Sequence, residues 1–311
     1  MTVALAVILA GVLHAVWNAI AKGAPDRWAS FALIGLGEAL VVLPMGAVVG
    51  PPDRAAWPWL LASVAVHIVY MGLLLVSYQL GDFSQVYPLA RGSAPLLVAA
   101  VAAVVLGERL TWAQDAGVAA VCGGLGVLAF AGRRDGAGKG GTDAGGGVDT
   151  GGGVDTGGGV DTGGGVARER DPRAVAAALL TGVSIAAYTL LDGVGVRHAG
   201  GSLSYTSWMF GIQAPVTVAL VLALRGRATI IRLDRAAALR GLAGGLISMA
   251  AYGIVLWAQT RGTLASVAAL RETGVISGAV IGAVFFSERL GPRRIAAACV
   301  VAAGVVLITA H

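Results

Sequence analysis

The chain alternates between long apolar stretches and short polar breaks over most of its 311 residues. About 20 consecutive apolar residues are enough for a helix to cross the ~30 Å hydrocarbon layer of a bilayer. Breaks that contain Gly, Pro or charge, such as Pro51-Pro52-Asp53, separate the stretches. The pattern predicts ten transmembrane helices, with approximate bounds 2–21, 29–49, 57–78, 84–106, 112–131, 173–191, 203–224, 238–259, 264–286 and 293–310.

One segment departs from this pattern. Residues 132–172 are rich in glycine and charge, and they contain the hexapeptide GGGVDT three times, at 145–150, 151–156 and 157–162. The repeat matches neither the residues nor the period of calcium-binding nonapeptide repeats. Its composition is typical of a solvated flexible linker. The predicted organisation is therefore a five-helix repeat over 1–131, a linker over 132–172 and a second five-helix repeat over 173–311.

The two predicted halves resemble each other in sequence. A shift of 180 positions aligns Arg91 with Arg271, and it aligns Glu108-Arg109-Leu110 with Glu288-Arg289-Leu290. Because five is an odd number, the second half must enter the membrane from the opposite side. The prediction is an all-α integral membrane protein built from two inverted repeats, an architecture that places the solute site near the midplane, between the repeats.

The composition excludes several other classes of protein. Hydrophobic residues make up 57% and charged residues 13% of the chain, and the mean hydropathy is +0.80. A soluble domain has about 25% charged residues. The net charge of +5 is scattered over short loops, so it predicts no nucleic-acid partner. No HExxH, GxSxG or P-loop motif occurs, and no set of ligands has metal-site spacing, so we expect neither an enzyme nor a cofactor.

The loops differ in basic charge. Lys and Arg total 16 in and beside the loops after helices 1, 3, 5, 7 and 9, but only 4 after helices 2, 4, 6 and 8. Basic loops face the cytoplasm. The bias therefore predicts a multi-pass protein of the cytoplasmic membrane, with a cytoplasmic linker and both termini outside.

Two arginines stand out because charge inside a span costs ~2.5–3.5 kcal/mol on insertion scales. Arg91 lies about a third of the way into the fourth span, and Arg271 lies at the equivalent depth of the ninth. Two such guanidiniums are able to form a fork for a carboxylate or phosphate. The alternative is that each pairs with a carboxylate or extends to the interface.

Two carboxylates are also placed inside spans. Glu38 is the only charge in the second span, beside Gly35 and Gly37, which permit close approach of another helix. It is a candidate for proton coupling, or else a structural partner of Arg91 or of a histidine. Glu272 is the second coupling candidate. It adjoins Arg271 but points ~100° away on a regular helix.

Polar and aromatic side chains form stripes on several spans. His14, Trp17 and Asn18 share one helix face, because their spacing is i, i+3, i+4. In lipid such a stripe must face protein or water, so these faces are predicted to line a cavity or else to make interhelical hydrogen bonds. The predicted solute-binding residues are Arg91, Arg271, His14, Trp17, Asn18, Tyr70, Tyr87, Tyr188 and Tyr252, with His67, Tyr78, Thr189 and Asp192 on the same stripes.

Several motifs resemble those of one family. GVLHAVWNAIAK in the first span, YPLARG in the fourth, GERL and SERL before the fifth and tenth, and AALRETG in the ninth are similar to EamA-type members of the drug/metabolite transporter superfamily. The resemblance covers nearly the whole chain outside the linker. It implies a ten-helix bundle that moves small solutes by alternating access.

The predicted function is therefore secondary transport of a small polar or anionic metabolite, with protons as candidate coupling ions. The partners would be a small-molecule solute and the lipid bilayer, and the protein would act as a monomer or homodimer. A non-transporting receptor or accessory protein of the same fold, or a membrane enzyme that acts on a lipid-linked substrate, remains the alternative.

Overall fold

The computed structural model describes residues 1–22, 27–80, 83–131, 172–226, 235–277 and 292–309. Within these ranges the protein is helical and contains no β-strand. A 3₁₀ helix (Arg54–Ala56) precedes the third α-helix. The α-helices with both ends described are α1 (Thr2–Lys22), α2 (Arg27–Val49), α3 (Trp57–Leu80), α4 (Phe83–Val105), α5 (Trp112–Ala131), α6 (Pro172–Arg197), α7 (Ser202–Arg225), α8 (Arg235–Gln259), α9 (Leu264–Arg271) and α10 (Pro292–Thr309).

Five stretches of the described chain are long and apolar enough to cross a membrane: Trp28–Val49, Arg54–Leu74, Pro172–Arg197, Ser202–Arg225 and Arg235–Gln259. Shorter apolar stretches occupy Thr2–Asn18, Leu89–Val105 and Ile295–Thr309. Large apolar side chains such as Leu40, Val104 and Val306 lie exposed on the outside of the bundle. Outward-facing leucine and valine suit a lipid environment, and the chain is a multi-pass membrane protein.

The observed helix ends agree with the predicted bounds to within three residues, except in α6 and α9. The agreement arises because Gly, Pro and charged breaks act locally on the backbone. Some predictions concern residues outside the described ranges: the linker up to residue 171, the part of the ninth span beyond Ser277, and the motif Glu288-Arg289-Leu290.

The ninth helix is shorter than predicted. A continuous helix over 264–286 was expected, but α9 ends at Arg271 and residues 272–273 form a turn before helical structure resumes at Gly274. The N–H groups of Glu272 and Thr273 donate to Ala269 and Leu270, three residues back. The hydroxyl of Thr273 also donates to the carbonyl of Leu270 at 2.8 Å. This side chain competes with the backbone for that carbonyl, which favours the break.

Close contact with α1 accompanies this break. A Cβ built on Gly274 would lie 2.6 Å from the carbonyl oxygen of Gly11, and a Cβ on Gly11 would lie 3.0 Å from the nitrogen of Gly274. Only glycine at both positions permits the two backbones to approach in this way. The broken end of α9 is therefore held against the middle of α1.

The sixth helix is longer than predicted. It was expected to end near residue 191, but it continues to Arg197. Gly193 and Gly195, which suggest a break in the sequence, instead face the side chains of Leu264 and Tyr205. The extension places Asp192 inside the helix, fully buried. The predicted end of the sixth span near residue 191 is therefore too early, because tertiary packing keeps this segment helical.

The helices of the two halves interleave. The most extensive contacts pair α1 with α8, α3 with α6, α2 with α7, and α5 with α10. Small residues make these approaches close: a Cβ on Gly117 of α5 would lie 2.7 Å from the carbonyl oxygen of Gly304 of α10. Small residues drive helix association in lipid because they let backbones pack tightly. This interleaving brings α1, α4 and α9 together around the interior charges.

Candidate functional site

Two arginines and one glutamate meet in the interior of the bundle. Arg91 of α4 donates from Nε to Oε2 of Glu272 at 2.8 Å. Nε of Arg271 lies 3.6 Å from the other oxygen of the same carboxylate, which is too long for a hydrogen bond. The side chains of Arg91, Arg271 and Glu272 are 4%, 4% and 0% exposed. One carboxylate is thus shared by two buried guanidinium cations, and the group has a surplus positive charge.

The break in α9 produces this arrangement. Glu272 is the C-terminal cap of α9, and its N–H bonds three residues back instead of four. In a regular helix Glu272 would point away from Arg271, as expected from the sequence, but the helix is broken here. At the turn, the carboxylate of Glu272 approaches both arginines and binds Arg91 more closely. The alternative that an arginine pairs with a carboxylate is thus observed for Arg91.

His14 of α1 extends this group. Its Nε2 lies 3.2 Å from Nη1 of Arg91, and the indole N–H of Trp17 donates to its Nδ1 at 3.1 Å. A neutral imidazole has one N–H and one acceptor nitrogen, so it accepts from only one of these two donors at a time. Asn18 donates to the backbone carbonyl of His14 at 2.7 Å. His14 and Trp17 therefore join the charged group, whereas the hydrogen bond of Asn18 stays within α1.

Arg271 differs sharply from Arg91 in its partners. In the part of the chain that the structure describes, its Nε is buried and has no hydrogen-bond acceptor. Its Cζ lies 6.0 Å from the ring centroid of Tyr188, within the range of a cation–π contact. Oε1 of Glu272, opposite Arg271, is likewise buried without a hydrogen bond. Buried donors without acceptors are costly, so this guanidinium is prepared for an anionic partner.

Aromatic side chains form a cluster beside Arg271. His67 stacks on Tyr188 with ring centroids 4.0 Å apart, and Tyr70 meets Tyr188 edge-on at 5.5 Å. Tyr252 meets His67 edge-on at 5.8 Å and Phe210 at 6.0 Å. The cluster joins α3, α6, α7 and α8, and it brings together the predicted residues Tyr70, Tyr188 and Tyr252.

Asp192, which the sequence places on the stripe of Tyr188 but not among the predicted solute-binding residues, joins this cluster. It accepts hydrogen bonds from the hydroxyls of Tyr205 at 3.0 Å and Tyr252 at 2.5 Å. Its side chain is 0% exposed. The i, i+4 spacing of Tyr188 and Asp192 predicts that both lie on one face of α6.

Glu38 lies apart from these groups. It is buried in the contact between α2 and α8, where Ser248 is its hydrogen-bond partner. A Cβ on Gly37 would lie 2.9 Å from Cα of Leu242, and one on Gly245 would lie 2.8 Å from the nitrogen of Glu38. The close helix approach predicted from Gly35 and Gly37 is therefore present, with α7 opposite Gly35 and α8 opposite Gly37.

Two of the predicted aromatic side chains, Tyr87 and Tyr78, lie outside the part that the structure describes, although their backbones belong to α4 and α3. Among the described side chains, no three His, Cys, Asp or Glu residues cluster as metal ligands would. The site is thus an interior group of charges and aromatic rings, suited to binding a polar solute.

Comparison with known proteins gives two positive findings. The sequence profile of the EamA-like transporter family matches residues 1–130 and 172–310. A solved structure titled "Crystal structure of protein" is 18% identical, covers 99% of this chain and 96% of its own, and superposes with a TM-score of 0.71. That likeness concerns the fold. No curated protein matches the sequence.

Proposed function

Because the chain belongs to the EamA-like transporter family, we propose that it is a secondary transporter which moves a small polar or anionic metabolite across the cytoplasmic membrane. Members of this family are membrane proteins and generally transporters, not enzymes. The observation that carries the choice of solute is the sharing of one buried carboxylate, Glu272, by Arg91 and Arg271. A solute anion would neutralise the surplus charge.

The two arginines have different roles in this proposal. Arg271 binds the anionic group of the solute, because its buried Nε has no acceptor among the described residues. Arg91 is held by Glu272 and positions that carboxylate at the break in α9. The other predicted contacts to the solute are retained in the proposal: His14, Trp17, Asn18, Tyr70, Tyr188 and Tyr252, together with Tyr87, whose side chain lies outside the described part of the chain.

The architecture proposed for transport is ten spans in two inverted repeats, 1–131 and 173–311, joined by a flexible linker over 132–172. The helix pairing supports it: α1 packs on α8 as α6 packs on α3, and α2–α7 and α5–α10 each pair equivalent helices of the two halves. A two-fold axis in the membrane plane would relate these pairs. Alternating access then consists of rocking one repeat against the other around the site.

The proposed orientation follows from the basic loops. The linker faces the cytoplasm and both termini lie outside, because 16 Lys and Arg residues lie on the linker side against 4 on the other. A reporter that is active only in the cytoplasm should therefore be inactive when fused after His311 and active when inserted into the linker. The opposite result would reverse the orientation.

Proton coupling is the last part of the proposal. Glu38 and Glu272 are the carboxylates that the sequence offers, and both are buried. Burial removes the hydration that stabilises an ionised carboxylate, so such a group is able to carry a proton.

The test begins with a thermal-shift screen of the purified protein against a library of metabolites. A solute at about 100 times its Kd stabilises the native state by about 2.7 kcal/mol. Anionic solutes should stabilise the wild type and the control R240Q, whose arginine is exposed on α8, but not R271Q. The same solutes should then enter sealed liposomes that contain wild type or R240Q.

Three results would contradict the proposal. Binding without flux would indicate a receptor or accessory protein. Product formation from a lipid-linked substrate would indicate a membrane enzyme. Equal binding and flux in R271Q would show that the anion binds elsewhere.

A further inference from the structure

We infer that Asp192 carries the coupled proton, and that its protonation accompanies the binding of an anionic solute at Arg271. This inference rests on the proposed function, because it assigns a further role within the same solute site.

The charges buried in the described bundle lead to this assignment. They belong to Glu38, Arg91, Asp192, Arg271 and Glu272. Arg91 and Glu272 form a hydrogen-bonded ion pair and compensate each other. Arg271 and Asp192 then remain as the opposite charges around the aromatic cluster.

The aromatic cluster connects these two charges. Tyr252 donates its hydroxyl to Asp192, and its ring centroid lies 6.3 Å from that of Tyr188. Arg271 lies beside the ring of Tyr188, with Cζ 6.0 Å from the ring centroid. Charges separated by such a buried, poorly hydrated region interact more strongly than they would in water.

An anion that binds Arg271 would add a second negative charge to this region. With Asp192 ionised, the aromatic cluster and Arg271 would then hold a net negative charge in the interior of the membrane. A proton on Asp192 restores neutrality. Anion binding and proton uptake therefore favour each other, which is the thermodynamic requirement for co-transport.

The other two carboxylates are less suited to this role. Protonation of Glu272 would leave two buried guanidiniums without a counter-charge, and an uncompensated buried charge is strongly unfavourable. Glu38 lies in the seam between α2 and α8, with Ser248 as its partner. The hydrogen bonds to Asp192 come from neutral hydroxyls. When Asp192 is protonated, no directly bonded cation therefore loses its counter-charge.

His67 belongs to the aromatic cluster beside Asp192. Its Nδ1 lies 3.0 Å from the carbonyl oxygen of Ser63 and 3.2 Å from the hydroxyl of the same residue. A protonated Nδ1 donates to the carbonyl, and an unprotonated Nδ1 accepts from the hydroxyl. The titratable groups around Asp192 are His67 from α3, Tyr188 from its own helix, Tyr205 from α7 and Tyr252 from α8. Arg271 from α9 lies across the aromatic rings. The charged group from α4 is Arg91, which is paired with Glu272.

The proposed step is balanced. A proton from water on one side forms an O–H bond with the Asp192 carboxylate as the anion binds Arg271. After the bundle rocks, that O–H bond breaks, and the proton and the anion leave to water on the other side. On the first side an O–H bond of hydronium breaks as the O–H bond of Asp192 forms, and on the second side the proton forms hydronium again with water.

The first test uses liposomes that contain a pH-sensitive dye, with labelled lactate, glutamate and inorganic phosphate as probes. In the wild type, a gradient of an accepted probe should move protons together with the anion. D192N should still pass the anion but should lose the accompanying proton movement and the pH dependence of the rate. D192E should retain proton movement, and the control D115N, which alters an exposed residue of α5, should behave as wild type.

The results separate this inference from the function on which it rests. Proton movement in D192N equal to that of wild type would overturn the role of Asp192. Anion movement in R271Q equal to that of wild type would overturn the solute site, and with it the coupling to Arg271. A wild type that moves none of the three probes would contradict the proposed function for those anions.

Infrared spectroscopy tests Asp192 without a solute. The protonated-carboxyl band of the wild type in mildly acidic buffer should contain a component that D192N lacks and D115N keeps. R271Q should increase this component at neutral pH, because the variant lacks the Arg271 cation that favours the ionised form of Asp192. A band that is the same in D192N and wild type, or that R271Q leaves unchanged, would overturn the inference.

Discussion

At the scale of single residues, Arg91 and Arg271 have unequal environments despite equivalent positions in the two halves. Arg91 has a carboxylate at 2.8 Å and the ring of His14 at 3.2 Å. Among the described residues, the partners of Arg271 are a distant carboxylate and the face of Tyr188. The difference arises because a single acidic residue, Glu272, serves both. In our proposal, the first arginine therefore contributes to stability and the second binds the solute.

This inequality predicts that two matched substitutions destabilise the protein to different extents. R91M should destabilise the protein by about 3–5 kcal/mol, because it leaves the carboxylate of Glu272 buried without its closest partner. R271M should cost much less, because the Nε of that guanidinium has no hydrogen-bond acceptor among the described residues. Denaturant titration of the purified proteins measures both effects.

The double variant R91M/E272M provides the control for the ion pair. It should be more stable than R91M, because no uncompensated carboxylate remains. R240M, on the exposed face of α8, should be close to wild type. Equal destabilisation by R91M and R271M would contradict the division of roles.

At the scale of helices, glycines in the α2–α8 seam set how closely these two helices pack. Gly37 faces Leu242, Gly241 faces Leu33, and Gly245 faces the backbone of Ile34 and Glu38. Each contact reaches backbone or the Cβ of the neighbour, which cannot rotate away. The seam therefore depends on the absence of side chains at these positions.

The seam predicts a steric effect for G37A. The added methyl group would lie 2.9 Å from Cα of Leu242, so the helices must separate, at a cost of about 1–3 kcal/mol. G72A in α3 and G211A in α7 are matched controls, because a Cβ at either position meets nothing within 4 Å. Thermal unfolding in detergent should show a loss of stability for G37A but not for G72A or G211A. A loss of equal size in the controls would instead indicate a general intolerance of alanine.

At the scale of the whole molecule, Glu108 ties together the ends of several helices. Its carboxylate pairs with Arg197 at the end of α6 at 2.9 Å and accepts from the N–H of Leu264, the first residue of α9, at 2.8 Å. Arg197 also donates to the carbonyls of Gln259 and Gly262. In the sequence, Glu108 lies in the GERL motif just before the fifth span. The described contacts show that it stabilises the start of α9 instead.

These contacts of Glu108 predict a measurable loss of stability for E108A. Removal of the carboxylate leaves the first N–H of α9 without its acceptor and Arg197 without its partner. A cost of about 1–2 kcal/mol is expected, mostly from the cap, because Arg197 is partly exposed and such pairs contribute little. E108Q retains an acceptor for Leu264 and should lose less. If E108A and E108Q are both as stable as wild type, the tie has no energetic role.

The proposed linker makes a prediction at the same scale. Deletion of residues 145–162, which are the three GGGVDT copies, should leave solute flux unchanged. A glycine-rich chain of the remaining length has a root-mean-square span of roughly 25 Å, so it should still join the two halves. The measurement is flux in liposomes beside the full-length protein. A large loss of flux with normal insertion would assign the repeat a function beyond connection.

Much of the helix plan was predictable from the sequence. The lengths of apolar stretches and the Gly, Pro and charged breaks act over a few residues, so the bounds of α1 to α5 are close to those expected. The presence of Arg91, Arg271, Glu38 and Glu272 in the interior followed from the cost of charge in apolar stretches. The polar stripes containing Tyr70, Tyr188 and Tyr252 were also visible as helical spacing.

Only the tertiary structure decided which of these residues act on one another. The break at Glu272 depends on Thr273 and on the close approach of Gly11, which belong to different helices. The burial of Asp192 depends on Tyr205 and Tyr252, which are distant in sequence. Local propensity determines where helices form, but the assignment of one carboxylate to two arginines depends on contacts between distant segments, which no local pattern contains.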